Sequence, residues 1–352
     1  MRVADRVGSA LSALNHSLSK VPCVGLTVCL LFALMITALR AEENSTSTPV
    51  EFAESSVLAQ QKLLIDVTTA GPSGRLVAVG DRGHILYSDD DGDVWVQAKV
   101  PTRQLLTAVH FVSAKQGWAV GHDALILATT DGGQTWLQQY KNPAAEAPLL
   151  DVWFSSEFEG FAVGAYGQIV RTSNGGKSWE DWSAHIENEE EFHFNSITGL
   201  KNKREMVIVG EAGIVYFSFN QGMTWQRLDS PYEGSLFGVI ANGEPQSFVA
   251  FGLRGHVFRY DGSLKQWSTV KTHTEQSLFG GQYIADGRLA MAGNGGVWLV
   301  SNDYGKQFSL HKQSDRKLVS GITETADGQY ILVGQGGIVK TIPQGNDLAI
   351  RP

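Results

Sequence analysis

A short phrase, S/T-x-D/N-x-G-x-x-W/F, returns along this chain at intervals of about 42 residues. It reads Ser88-x-Asp90-x-Gly92-x-x-Trp95, then Thr129-x-Asp131-x-Gly133-x-x-Trp136 and Thr172-x-Asn174-x-Gly176-x-x-Trp179. Further copies are Ser218-x-Asn220-x-Gly222-x-x-Trp225 and Ser301-x-Asp303-x-Gly305-x-x-Phe308, with Trp267 marking a degenerate copy between them. The closing aromatics are 41, 43, 46, 42 and 41 residues apart. A repeat of that length means stacked, mutually dependent units, so one closed domain is expected.

A second marker sets the number of units. An apolar run ends in a Gly-x-x-Gly turn at 80–83, 121–124, 164–167, 210–213, 252–255, 293–296 and 334–337, Ala124 replacing the last glycine in the second copy. Seven copies result, each with room for four short strands. In the third unit, strands are predicted at 149–154, 160–163, 168–172 and 178–182. The fold class is therefore all-β: a seven-bladed β-propeller of four-stranded antiparallel blades over residues 61–344, followed by a tail, 345–352. The last unit, 318–344, has only three strand-like runs. Residues 50–53, within the linker 42–60, are expected to supply the closing strand, with 347–350 as the alternative.

The phrase explains itself structurally. Asp90, Asp131, Asn174, Asn220 and Asp303 suit a side chain that accepts turn N–H groups, the glycine suits a positive φ, and Trp95, Trp136, Trp179, Trp225 and Phe308 suit packing between sheets. One carboxylate per turn is too few oxygens for calcium. No metal, cofactor or catalytic residue is expected. Within the Gly-x-x-Gly turns the middle residues vary. These turns should share one face, opposite the phrase, which makes Arg82, His122, Asp123, Tyr166 and Arg254 candidates for partner binding. His122-Asp123 lacks a nearby nucleophile. His185 and His193 flank the acidic run Glu187-Asn188-Glu189-Glu190-Glu191, which reads as a solvated insertion between blades.

Ahead of the repeats, residues 21–39 form an uncharged run of spanning length between Lys20 and Arg40. Residues 1–41 read as a cleaved signal peptide or as a signal anchor. Both place the domain outside the cytoplasmic membrane, in the periplasm, and the anchor reading tethers it there by 21–39. The formal net charge of the chain is −8. The leader carries Arg2, Arg6, Lys20 and Arg40 against Asp5, a net of +3, leaving −11 on the remainder. An acidic domain does not suit nucleic acid. Both cysteines, Cys23 and Cys29, fall in the leader, so the propeller has no disulfide or thiolate site.

Taken together, seven turns of the V-G-x-x-G type, the Gly117-Trp118-Ala119-Val120-Gly121 strand end and Thr130-Asp131-Gly132-Gly133-Gln134-Thr135-Trp136 resemble the photosystem II stability/assembly factor family. The resemblance covers about residues 60–344. It implies a non-enzymatic, monomeric propeller, periplasmic or lumenal, that docks on a membrane protein complex or its precursor subunit. Members in oxygenic phototrophs carry an arginine patch. Leu253-Arg254-Gly255-His256-Val257-Phe258 resembles one segment of it, while the paired arginines that follow are His273-Thr274-Glu275-Gln276 here. An envelope transport system is the alternative partner.

The turn phrase also occurs in sialidases and xyloglucanases. The Arg-Ile-Pro segment of sialidases is missing, since Thr341-Ile342-Pro343 lacks the Arg and lies at the wrong end. Xyloglucanases typically need two propellers. A secreted glycan-binding or glycoside-hydrolase-like propeller is the alternative class, and a pair of carboxylates at the axis would favour it.

Overall fold

The computed structural model describes residues 50–71 and 74–342. The leader with its apolar run, and the 347–350 strand alternative, lie outside these residues. Seven antiparallel sheets follow one another along the chain, at 64–97, 106–140, 149–181, 194–227, 236–270, 278–312 and 319–341, here called blades 1 to 7. Six have four strands in simple meander order, and blade 7 has three among the described residues. The first strands are Leu64–Thr69, Leu106–Phe111, Leu149–Phe154, Phe194–Gly199, Leu236–Ala241, Leu278–Tyr283 and Val319–Glu324. Each packs against the first strands of both neighbours, and that of blade 7 against that of blade 1, so the ring closes around an axis.

Strand position dictates composition. Second strands such as Leu76–Gly80, Gly160–Gly164 and Met206–Gly210 are buried at every residue because blades cover both of their faces. They therefore read as continuous apolar runs rather than alternating ones. Fourth strands are short and wet: Glu180–Asp181 is exposed throughout. In blade 3 the strands are Leu149–Phe154, Gly160–Gly164, Ile169–Thr172 and Glu180–Asp181. The outermost is shorter than its predicted 178–182, because Ser178 is held in the turn, its N–H bonded to Asn174 Oδ1 at 3.0 Å.

The recurring phrase fastens the third strand to the fourth. In blade 2, Thr129 Oγ1 donates to Asp131 Oδ1 at 2.8 Å and accepts from the Gly133 N–H at 2.9 Å. Asp131 Oδ1 accepts from the Gln134 and Thr135 N–H groups, both at 3.0 Å, and Oδ2 from the Thr135 hydroxyl at 2.6 Å. Trp136 then folds back, its Nε1 donating to Gly133 O at 3.0 Å, and its ring is buried against Phe111 and Val77 between blades 1 and 2. Asn174 and Asn220 use their Oδ1 atoms in the same way.

The expected closing strand is in a different place. Residues 50–53 do not pair with blade 7. They run along the outside of blade 1, where the Ala53 N–H donates to Val100 O at 2.9 Å, Arg103 Nε donates to Phe52 O at 3.1 Å, and Phe52 sits under Lys99. Gln97 holds the following residues through Glu54 O and the Ser56 N–H. The two-residue fourth strand Val96–Gln97 leaves these groups free to bind a passing segment. The ring is instead sealed by apolar packing of Ile331 and Val333 on Leu76 and Ala78, and by Ser320 Oγ donating to Leu64 O at 2.8 Å. The Lys340–Asp93 pair, 2.8 Å, adds to the seam.

This geometry separates the two parts of the turn phrase experimentally. Asp131→Asn, which keeps Oδ1, should change the unfolding free energy by less than about 1 kcal/mol. Asp131→Ala should cost about 1–3 kcal/mol, and Trp136→Ala about 3–5 kcal/mol. Urea unfolding followed by far-UV circular dichroism checks the ranking.

Candidate functional site

The Gly-x-x-Gly turns all lie at the end of the ring where the first strands begin, opposite the fastening turns, as their position between the second and third strands requires. One contact repeats in all seven blades. The N–H of the first middle residue donates to the carbonyl of the residue just before the first strand. The pairs are Asp81 to Leu63, His122 to Leu105, Ala165 to Pro148, Glu211 to His193, Leu253 to Ser235, Asn294 to Ser277 and Gln335 to Leu318, at 2.9–3.1 Å. The preceding glycine permits it. A Cβ on Gly80, Gly121, Gly164, Gly210, Gly252, Gly293 or Gly334 would stand 2.0–2.4 Å from that same carbonyl oxygen. The backbone is extended at Gly80 (φ 179) and Gly164 (φ −165), so the need is for space rather than for a special backbone angle.

The second middle residue is left-handed: Arg82 at φ 55, Asp123 at 60, Tyr166 at 56, Ala212 at 53 and Arg254 at 57. For a side-chain-bearing residue this conformation costs about 1 kcal/mol or more. It aims the side chain outward, and Arg82, Tyr166 and Arg254 are exposed, Tyr166 at 61%.

Their surroundings differ. The guanidinium of Arg82 lies 3.6 Å from Asp81, in the open. His122 is exposed and free of side-chain partners among the described residues. Asp123 is committed, accepting from Gln104 Nε2 at 2.7 Å and pairing with Lys141 at 3.3 Å, so it latches the loop instead of facing a partner. Tyr166 stands edge-on to His193, ring centroids 4.9 Å apart, and donates its N–H to His193 Nδ1 at 2.8 Å. Arg254 donates its N–H to Ser277 Oγ at 3.2 Å, and its guanidinium has no partner among the described residues. The segment 273–276 runs beside this turn, since a Cβ on Gly255 would meet Thr274 O at 2.3 Å. The five candidates sit on blades 1, 2, 3 and 5. They mark a rim and do not converge on a pocket. His185 and His193 also stay apart in role: His185 stacks on Trp182 at 3.6 Å, whereas His193 supports Tyr166.

A second location escaped the sequence reading. Two cavities, of about 660 Å³ and 310 Å³, lie along the axis and share Asp66, Asp151, Ser196, Val239 and Gly281. Asp66 Oδ2 accepts the Val109 N–H of blade 2 at 2.9 Å. Asp151 Oδ2 accepts the Ile197 N–H of blade 4 at 2.9 Å and the Ser196 hydroxyl at 2.8 Å. Ser196 Oγ in turn accepts the Val239 N–H of blade 5 at 3.4 Å. All three side chains occupy the third position of their strands, at a local break in pairing register in blades 1 and 4, and each ties one blade to the next. Blades 5 to 7 have Gly238, Gly280 and Gly321 at this position, and a Cβ on Gly280 would stand 2.0 Å from Ser320 O. The signal was an acid inside an apolar strand, in LIDVTT and LLDVWF.

Burial pushes the Asp66 carboxyl up to about 7, with nearby Asp151 adding to the rise, and Asp151 up to about 6. Burial pushes His110, on the same lining, down to about 4, with Nε2 3.2 Å from Phe154 O and Lys203 nearby. The axial carboxylates are the feature a glycan-acting propeller would call for. Their oxygens, however, hold backbone N–H groups of their own and neighbouring blades.

Comparison with known proteins places this architecture. The family described as the photosynthesis system II assembly factor YCF48 matches residues 88–148 and 138–349. A solved YCF48 bound to D1 peptide is 18% identical and superposes with a TM-score of 0.63, over 85% of this chain and 96% of that one. YCF48 from Cyanidioschyzon merolae is 15% identical, with a TM-score of 0.63 over 83% and 98%. An ancestral GH74 enzyme, 12% identical, gives 0.64 over 79% of this chain and 44% of its own. At these identities the structures show a shared fold. No curated protein matches the sequence.

The axial groups make a prediction about pH. Asp66 and Asp151 hold protons more tightly folded than unfolded, their ordinary value being 3.8. Between about pH 4 and 7 unfolding therefore releases protons, and raising the pH destabilises. His110 has the opposite sign: its ordinary value is 6.5, so below that the unfolded chain gains a proton and lowering the pH destabilises. His84, also lowered by burial, acts in the same sense as His110. The trends oppose each other between about pH 4 and 6.5. Asp90, Asp131, Asp261 and Asp327 are shifted downward and titrate below this window. His110→Gln retains an N–H for Phe154 O and removes the opposing histidine. Its unfolding free energy should fall more steeply than that of the parent as pH rises from about 4.5 to 6.5, by at most about 1.4 kcal/mol per pH unit, the contribution of the one proton His110 would take up on unfolding. Denaturant midpoints across the range check this, and parallel profiles would refute it.

Proposed function

Because the chain belongs to the family of the photosynthesis system II assembly factor YCF48, we propose that it is a non-enzymatic docking protein that engages a subunit of a membrane complex during assembly. The family match over 88–349 carries this reading. The apolar run at 21–39 supports a location outside the cytoplasmic membrane, with the propeller acting there as a monomer. The solved relative that holds a D1 peptide supports a polypeptide segment as the ligand. The turn face is the surface suited to it. Seven identical backbone latches carry unlike side chains, with Arg82, His122, Tyr166 and Arg254 held outward. A rigid frame with variable, exposed tips suits recognition.

Within this reading the partner is the membrane subunit of an envelope complex, such as a transport system, in preference to a photosystem. Next to Arg254 the chain presents His273-Thr274-Glu275-Gln276 where arginines would be expected, and the domain is strongly acidic. A largely basic or neutral segment that offers Arg254 one acidic side chain or backbone carbonyl fits that surface better than a uniformly acidic one.

The glycan reading has one observation in its favour, the Asp66–Asp151 pair on the axis. It is the weaker reading because both carboxylates are tied to backbone groups that hold the ring together.

Affinity purification from detergent-solubilised membranes tests the proposal. The parent protein should recover a membrane subunit, and Arg254→Glu should recover about tenfold less, the equivalent of roughly 1.4 kcal/mol. Unchanged recovery would remove Arg254 from the contact. Recovery of no membrane protein, together with binding on a glycan array, would sink the docking proposal.

A further inference from the structure

At the end of the ring that carries the fastening turns, one corner differs from the rest. In blades 3 and 4 the hairpin loops 155–159 and 200–205 and the fastening turns 173–179 and 219–225 form one bonded ridge. The Gly175 N–H donates to Phe158 O at 2.9 Å and the Gln221 N–H to Arg204 O at 2.8 Å. Lys203 Nζ crosses between the blades to Ser155 O at 3.2 Å, and Trp182 Nε1 of blade 3 donates to Gly222 O of blade 4 at 2.8 Å. These bonds make the ridge a fixed surface that spans two blades.

Large apolar side chains stand out from it. Phe158 is 62% exposed, Phe219 51% and Met223 44%. The gaps beside these blades are filled by Trp179 and Trp225 instead. Around the apolar tips lie Lys177, Lys201, Lys203 and Arg204, all exposed. None of the four is in an ion pair among the described residues. The same loops hold three acids. Glu159 is paired with Arg171 at 2.9 Å, and Glu205 is buried and accepts from Gln246 Nε2 at 2.7 Å, which leaves Glu157. The domain as a whole is acidic, and the matching turn of blade 1 carries Asp89, Asp90, Asp91 and Asp93. The corner is thus a local reversal of charge with apolar groups set into it.

That combination is complementary to an anionic lipid surface. Lys and Arg are drawn to the headgroup layer, while aromatic and Met side chains gain by entering the boundary with the acyl chains. The apolar groups are tips of separate turns, which suits a deformable bilayer surface better than a matched protein groove. We infer that this ridge is a docking surface for an anionic bilayer: Phe158, Phe219 and Met223 enter the interface while the four cations meet the headgroups. Repulsion holds the acidic turn of blade 1 away, so the ring tilts onto its blade 3–4 corner and the Gly-x-x-Gly face points away from the lipid. This inference does not rest on the docking proposal for that face.

The test uses the full chain with Cys23 and Cys29 replaced by Ser. An environment-sensitive fluorophore is attached at Met223→Cys or, at the opposite end of the same blade, at Ala212→Cys. Vesicles of phosphatidylglycerol and phosphatidylcholine carry a nitroxide-labelled lipid as quencher. The label at 223 should shift to the blue and be quenched, and the label at 212 should not. The comparison is between two positions of one chain, so it holds however the leader 1–41 behaves. Vesicles of phosphatidylcholine alone should quench the 223 label about fivefold less or weaker still, and Lys177→Gln with Lys201→Gln should lower the ratio of contacting to free ridge by about tenfold or more. Equal quenching at both positions, no quenching at 223, equal quenching by the two kinds of vesicle, or an unchanged ratio in the double variant would each overturn the assignment.

Discussion

A carbonyl oxygen and an N–H group meet at the start of every blade, and the ring is organised around that meeting. The oxygen belongs to the residue before the first strand and the N–H to the turn between the second and third. Only a residue without Cβ lets the two backbones come this close. The bond fixes where the chain drops toward the axis relative to the turn that later forms the outer rim. With that point fixed seven times, the first strands converge and the second strands are enclosed on both faces. The apolar clusters between sheets then have defined walls. The fastening turns act at the opposite end, where they set how far each fourth strand swings out and deliver an aromatic into the next gap.

The fold was legible because both devices repeat. Glycine spacing counted the blades, and the phrase from Ser or Thr to Trp identified which turn each copy occupied. The 50–53 segment was misplaced for a physical reason. A short, partly apolar segment next to a blade suits any free edge, and side-chain partners such as Gln97 and Arg103, distant in sequence, decided which edge it found. Blade 3's outer strand was read too long because hydroxyl and amide groups at 174–178 prefer the turn to the ladder.

The candidate surface was legible in outline only. Periodicity placed Arg82, His122, Tyr166 and Arg254 on one face, and the structure leaves them outward. It could not show that Asp123 spends its carboxylate on Gln104 and Lys141, since those partners come from other loops. The axial carboxylates were missed for the opposite reason. An acid within an apolar strand gives no motif, and its meaning depends on a backbone N–H of the neighbouring blade about 43 residues away. Asp66 and Asp151 thus belong to the mechanics of the ring, and they also give its interior an ionisation state that changes near neutrality.

The left-handed residue in the turns of blades 1 to 5 governs how such a surface can change. Its backbone angle is imposed by the flanking latch and is occupied here by Arg, Asp, Tyr, Ala and Arg in turn. The conformational cost is therefore already carried whichever of these side chains is present. Apart from Asp123, which latches its loop to Gln104 and Lys141, exchanging one for another alters charge and shape at the rim while the blades beneath keep their registers. Variation at these positions is nearly decoupled from folding, so a propeller of this kind can be redirected to a new client through a few substitutions without rebuilding its core.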